Sequence, residues 1–230
     1  MDENLYNPDY IKTIVNYTEQ GIPKIIHQIW IDESLDNKGM PKDWKISPVK
    51  WKKYHNDYIY ILWDSQNSLE FVKKYFPDLL DFYINLKYTI QRCDLIRFMF
   101  LYKFGGIYSD LSNYPLENLE KYLDKNANSY FVEMNIFYKT IKTNIIFTKC
   151  NIELFMDIIL QIANNYKYYP KITKIIHVIA SNGINIINKE IKNKKYNIYV
   201  LPYKKFNPYG LLDDCYKLKH KASIAATKGG

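Results

Sequence analysis

"TIQRCDLIRFMFLYKFGGIYSD", residues 89–110, carries two elements joined by a glycine pair. From Thr89 to Phe104 apolar residues fall on nearly every helical face, which predicts a buried helix with Thr89 as N-cap and Gly105 as its stop. Gly106-Ile107-Tyr108 then reads as a short buried strand that runs into Asp110, Ser112 and Asn113. A helix feeding directly into a buried strand is the unit from which α/β sheets are built. An apolar strand ending in a cluster of oxygen-bearing side chains also points to chemistry at the sheet edge, where ligands bind in open α/β folds.

Working outward, "KIIHQIWI" (24–31) and "YIYILW" (58–63) are apolar runs bounded by polar loops, as expected of strands buried on both faces. Helical spacing follows at 48–55, at 67–76, and from Pro77 to about Leu86. Further along, 130–138, 143–148 and 196–202 read as strands, the last of these the final one. Residues 151–166 read as an amphipathic helix, and 170–180 and 184–192 as helices broken at Ser181-Asn182-Gly183. The order predicts one α/β domain over 21–220 with a mostly parallel sheet flanked by helices, a leader over 1–20 and a flexible tail over 221–230.

Composition limits the function classes. A hydrophobic content of 47% with 23 tyrosines excludes a disordered chain. The net charge of +8 raises the possibility of a nucleic-acid partner, but the lysines are spread along the chain, so no nucleic-acid role is expected and the charge suits anionic small molecules. Three cysteines without paired spacing argue against a disulfide framework or zinc site and for a reducing compartment. No signal-peptide pattern and no long apolar run is present, and the expected setting is cytoplasmic without an integral membrane segment.

Only two of the 32 basic residues are arginine, Arg92 and Arg97, which suggests positions where a planar guanidinium serves and an ammonium does not, with chance occurrence as the competing reading. Asp94 and Arg97, at i and i+3, share a helix face. Two readings are open for them: a buried salt bridge, or the lining of a polar pocket. Asp110 and Ser112, two apart, are expected on one side of the sheet, in a geometry suited to a hard divalent cation and a diphosphate. An Asx-type turn is the competing reading. His27 reads as a satisfied core histidine, and no defensible nucleophile or base is visible.

The ordered set "DLIRFMFLYKFGGIYSDLSNYPL" (94–116) resembles the signature of glycosyltransferase family 32, which runs Asp-x-x-Arg, helix, Gly-Gly-x-Tyr, Asp-x-Asp. That family includes fungal initiating mannosyltransferases and is more distantly related to the catalytic domains of large clostridial glucosylating toxins. "IPKIIHQIWI" (22–31) and "YIYILWD" (58–64) are similar to its first two strands. The resemblance implies a single GT-A domain with a Rossmann-like sheet. It implies transfer of a sugar from a UDP- or GDP-sugar donor to a glycan or protein acceptor hydroxyl, with retention and assistance from Mn2+ or Mg2+.

Carried over by position, Ile29 and Trp30 would receive the donor base. Asp94, Arg97, Gly106 and Tyr108 would line the donor, and Asp110 and Arg97 would be catalytic. Asp110, Ser112, Asn113 and His220 would hold the metal, with His220 alternatively a surface histidine. Ser112 stands where the family has its second aspartate, which leaves open a degenerate relative that binds nucleotide or sugar without turnover.

Overall fold

The computed structural model describes residues 21–32, 39–123, 126–134, 140–168, 176–193, 195–202, 206 and 225–227. The apolar runs become strands β1 (Ile25–Ile29) and β2 (Ile59–Trp63), paired in parallel with Ile25 opposite Ile59. Strand β3 (Gly106–Ser109) lies parallel on the other side of β1. Beside it, β6 (Ile141–Thr148) runs antiparallel to both β3 and β5 (Ser129–Glu133), and β7 (Ile198–Leu201) closes the sheet parallel to β5. The six-stranded order is β2-β1-β3-β6-β5-β7, mixed α/β with parallel pairings in the majority.

Because strand side chains alternate, the sheet separates two cores. Ile25, Ile61, Trp63, Tyr108 and Phe131 face the larger one, against α2 (Ser65–Tyr75), α4 (Thr89–Phe104) and α5 (Glu153–Tyr168). Ile26, Tyr60, Ile107 and Tyr130 face the smaller one, where Trp51 of α1 (Ile46–Tyr54) and Leu119 pack. The short α3 (Leu80–Ile84) follows a 3-10 turn begun at Pro77.

The glycine pair lets α4 hand over to β3. Gly105 closes the helix at φ +64, and a Cβ there would lie 2.6 Å from the Cys150 amide nitrogen. Gly106 has φ +95, and a Cβ there would lie 2.5 Å from the Ile25 carbonyl oxygen. Both the backbone conformation and the close approach therefore demand glycine. The carbonyl of Gly105 also takes a hydrogen bond from His27, whose Nδ1 accepts from Trp63 Nε1–H at 3.0 Å, leaving Nε2 to donate at 2.9 Å. Burial lowers the His27 pKa from 6.5 to about 3, so it is a neutral core histidine as expected.

Several local expectations are corrected. Thr89 is the first helical residue of α4, not its cap: Tyr88 holds the extended cap backbone, and its N–H is met by the Gln91 side chain at 3.1 Å. Ile90, expected in the core, is 43% exposed. The predicted break at Ser181-Asn182-Gly183 does not occur, since α6 (Ile176–Asn193) runs through it. A helical glycine costs only about 1 kcal/mol, which buried packing such as that of Ile187 outweighs. The strand predicted over 130–138 ends at Glu133, and residues 135–139 lie outside the described set. β7 is not the last strand. Residues 225–227, expected in a flexible tail, form β8 (Ala225–Thr227), paired antiparallel with β4 (Asn113–Pro115). Residues 1–20 lie outside the described set.

Candidate active site

A cavity of about 360 Å³ opens where the carboxyl end of β1, the first half of α4 and the end of β3 converge. From the end of β1 it receives Ile29, followed by Trp30 and Ile31 just beyond the strand. Helix α4 contributes Thr89, Ile90, Cys93 and Arg97, and the segment after β3 contributes Asp110, Leu111 and Ser112 beside Tyr108. Trp30 is half-buried and meets Trp44 edge-on, with ring centroids 5.7 Å apart at 89°. Trp44 itself lines the cavity from the 3-10 turn Lys42–Lys45.

In the charged cluster beneath the cavity Asp94 and Arg97 form the buried salt bridge, and of the two only Arg97 also lines the cavity. Arg97 Nη2 donates to Asp94 Oδ1 at 2.7 Å, and both side chains are under 9% exposed. Arg97 Nη1 donates to the Thr143 carbonyl at 3.1 Å and stands 3.7 Å from Asp110 Oδ1. The guanidinium lies 4.7 Å from the centroid of the Tyr108 ring, and the Tyr108 hydroxyl donates to Asp110 Oδ1. Arg97 thus links a buried carboxylate to the partly exposed one that faces the cavity.

Burial pushes the Asp94 carboxyl up from its ordinary value, against the pull of Arg97. Burial opposes the Arg97 charge too, but Tyr108, Asp94 and Asp110 around it raise its pKa overall, so it keeps its proton. Tyr108 is pushed well up by burial and stays a hydroxyl donor. Burial also lifts the Cys93 thiol to about 11, so at neutral pH the cavity wall carries no thiolate nucleophile at that position.

Asp110 and Ser112 do not extend the strand, as the two-residue spacing had suggested. β3 ends at Ser109, and the Asn113 N–H returns to the Asp110 carbonyl at 2.9 Å, closing a four-residue turn. The turn places both side chains on the cavity, so the expected partnership survives by a different geometry. Its backbone is anchored from the smaller core. Gln28 Nε2 donates to Ser47 Oγ at 2.8 Å and approaches the carbonyls of Ser109 and Asp110 at 3.3 Å. Tyr60 OH donates to Gln28 Oε1 at 2.8 Å, and Ser47 donates to the Asn113 carbonyl.

Of the residues expected at the site, Ile29, Trp30, Arg97, Tyr108, Asp110 and Ser112 share the cavity wall. Asp94 sits behind Arg97, and Gly106 lies against Ile25 at the start of β3. Asn113 is 1% exposed and its amide nitrogen donates to the Asn144 carbonyl at 2.9 Å, so it braces the turn rather than facing the cavity. His220 lies outside the described residues. Ile31, Trp44, Thr89, Ile90, Cys93, Leu111 and the Gln28–Ser47 pair were missed. Ile90 and Cys93 could have been found from their helical spacing to Arg97, whereas nothing local marks Trp44.

A hard divalent cation takes six or more oxygen ligands with carboxylates prominent. Here Asp110 offers one carboxylate, already engaged by Tyr108 and near Arg97, beside the Ser112 hydroxyl. No cluster of three acidic, His or Cys residues occurs among the described residues. Taken alone, these described donors fall short of the oxygen shell of a tightly held cation.

Residues 41–130 match the family model described as "Glycosyltransferase sugar-binding region containing DXD motif". The resemblance to glycosyltransferase family 32 holds. Within the motif this family-32-like chain reads Asp110-Leu111-Ser112. It is 43% identical over 94 residues to mannosyl phosphorylinositol ceramide synthase SUR1 of Saccharomyces cerevisiae, covering 41% of this chain and 23% of that protein. It is 25% identical over 195 residues to the uncharacterized glycosyltransferase L373 of Acanthamoeba polyphaga mimivirus, covering 81% of this chain and 68% of the other. The chain thus spans about a quarter of the length of the fungal synthase. In fold it is similar to the PaToxG glycosyltransferase, with a TM-score of 0.57 at 18% identity over 81% of this chain and 77% of that one. Among the described residues no helix is long and apolar enough to cross a membrane.

Proposed function

We propose that the chain is a retaining glycosyltransferase that moves a sugar from a UDP- or GDP-sugar to an acceptor hydroxyl. The observation that carries this reading is the meeting of Trp30, Arg97, Tyr108, Asp110 and Ser112 on one cavity, the last four of them within the segment matched by a sugar-binding family model. Mannose is the first sugar to test, since mannosyl transfer is named in the relatives SUR1 and the initiation-specific alpha-1,6-mannosyltransferase of Saccharomyces cerevisiae.

In this reading the half-exposed Trp30 ring receives the nucleotide base beside Ile29. Asp110 orients sugar or ribose hydroxyls, its carboxylate held by the Tyr108 hydroxyl. Breaking the anomeric bond leaves negative charge on the diphosphate, and the permanently protonated Arg97, fixed by Asp94 and Thr143, provides a preorganised positive field there. The acceptor hydroxyl attacks from the face the diphosphate leaves and gives its proton to the departing diphosphate oxygen, which needs no enzyme nucleophile. A divalent cation, the family's usual partner, would meet only Asp110 and Ser112 at this point among the described residues.

The test is a panel of UDP- and GDP-sugars assayed for hydrolysis and transfer, with and without Mn2+. Turnover that drops by about a hundredfold or more in Asp110→Ala, with the fold retained, is the expected result. A second reading, a nucleotide- or sugar-binding relative without turnover, is favoured by Ser112 and predicts donor binding with no product across the panel.

A further inference from the structure

The segment 42–54 buries Ser47 and Trp51 against the sheet and turns its other side outward. At the centre of that outer side Val49 is 63% exposed, and Ile46 is 38% exposed. On a helix the neighbours of position 49 are those three and four residues away, which here are Lys45, Ile46, Lys52 and Lys53. Lys42 and Lys50 extend the cationic rim, and Asp43 is the single acidic residue in the segment. None of these five lysines is paired with a carboxylate among the described residues.

A lone exposed valine needs no explanation. An exposed Ile–Val pair ringed by lysines, of which Lys50, Lys52 and Lys53 contact tyrosine rings and none a carboxylate among the described residues, has the chemistry of an interfacial surface: apolar side chains enter the acyl boundary while ammonium groups meet phosphates. Nucleic acid would use the lysines but leave Ile46 and Val49 in water. We propose that the outer face of residues 42–53 docks on an anionic phospholipid membrane. The same segment lends Trp44 to the cavity wall, so docking brings the cavity mouth beside the lipid headgroups. Docking does not require turnover, and it stands or falls separately from the transferase reading.

The experiment is co-sedimentation of the full chain with phosphatidylserine–phosphatidylcholine vesicles, compared with pure phosphatidylcholine vesicles. The chain should sediment with the anionic vesicles alone. Ile46→Ser/Val49→Ser and Lys45→Glu/Lys52→Glu, all at exposed positions and checked for unchanged melting, should each weaken binding by about tenfold. Lys73→Glu/Lys192→Glu makes the same charge change on α2 and α6, which pack on the other core, and should bind like the parent chain. The proposal is overturned by absence of binding to anionic vesicles, or by equal loss in the Lys73/Lys192 control, which would reduce the effect to net charge. It is also overturned if Ile46→Ser/Val49→Ser binds normally while RNA binds more tightly than vesicles, which would make this a nucleic-acid surface.

Discussion

Two networks meet at the turn from Ser109 to Asn113, one from each face of the sheet, and they hold different parts of it. From the smaller core, Gln28 and Ser47 grip the backbone carbonyls with uncharged groups, and the Tyr60 hydroxyl holds Gln28 in place. From the larger core, Asp94, Arg97 and Tyr108 address the Asp110 side chain through charge and a phenolic hydroxyl. The position of the turn therefore does not depend on ionisation, whereas the carboxylate facing the cavity sits in a field set by a buried ion pair. This division of labour can be broken one side at a time.

The largest effect is expected from Arg97→Met, which leaves Asp94 buried without its partner and should cost about 3–5 kcal/mol in denaturant unfolding. Adding Asp94→Ala should restore much of that stability but not activity, and full additivity of the two changes would show that the pair is not coupled. Next comes Gln28→Leu. It strands the Tyr60 hydroxyl and loosens the carbonyls of Ser109 and Asp110, for about 2–3 kcal/mol, with weakened donor binding although no charge has changed. An unaltered donor affinity there would mean that the neutral network does not position the turn.

Acid should act through neither network first. His27 has a folded pKa of about 3, below its ordinary 6.5, so as pH falls the unfolded chain takes the proton before the folded one does. The stability it contributes is complete above about pH 6.5 and is lost toward pH 3; at about 1.4 kcal/mol per unit, melts at pH 5 should show a loss of about 2 kcal/mol. His55, whose pKa burial lowers to about 4, adds in the same direction. Melting temperatures that stay flat from pH 7 to 5 would contradict a neutral His27. The smallest effect is expected from Tyr108→Phe, about 1 kcal/mol or less in stability, with a larger fall in turnover because Asp110 loses its hydrogen bond.

Much of this was legible in order along the chain. The three strands that build the site, the helix that ends at Gly105 and the convergence of Asp110 with Arg97 could be read from apolar runs, glycine placement and a spaced motif. Each of those signals is local: burial on both faces writes continuous apolar runs, and a positive φ against a neighbouring strand writes glycine. The α6 break and residues 225–227 were misread because turn-forming residues and a weakly patterned segment carry little local energy, and packing or strand pairing elsewhere overrides it. Gln28 and Ser47 carry no signal at all, since a polar residue inside an apolar run is explained only by the carbonyls it meets 81 and 66 residues away.

What the sequence determined by itself is the helix-to-strand unit, the scarcity of arginine that singles out Arg97, and the replacement of a second carboxylate by Ser112. What only the tertiary structure decided is that Asp110 and Ser112 reach one cavity through a turn instead of a strand, that Asn113 faces inward as a brace, and that Trp44 joins the wall. The reason is physical: residue type and spacing encode propensity and burial over a few positions. Which oxygen faces solvent is set by hydrogen bonds between segments that meet only when the sheet has formed.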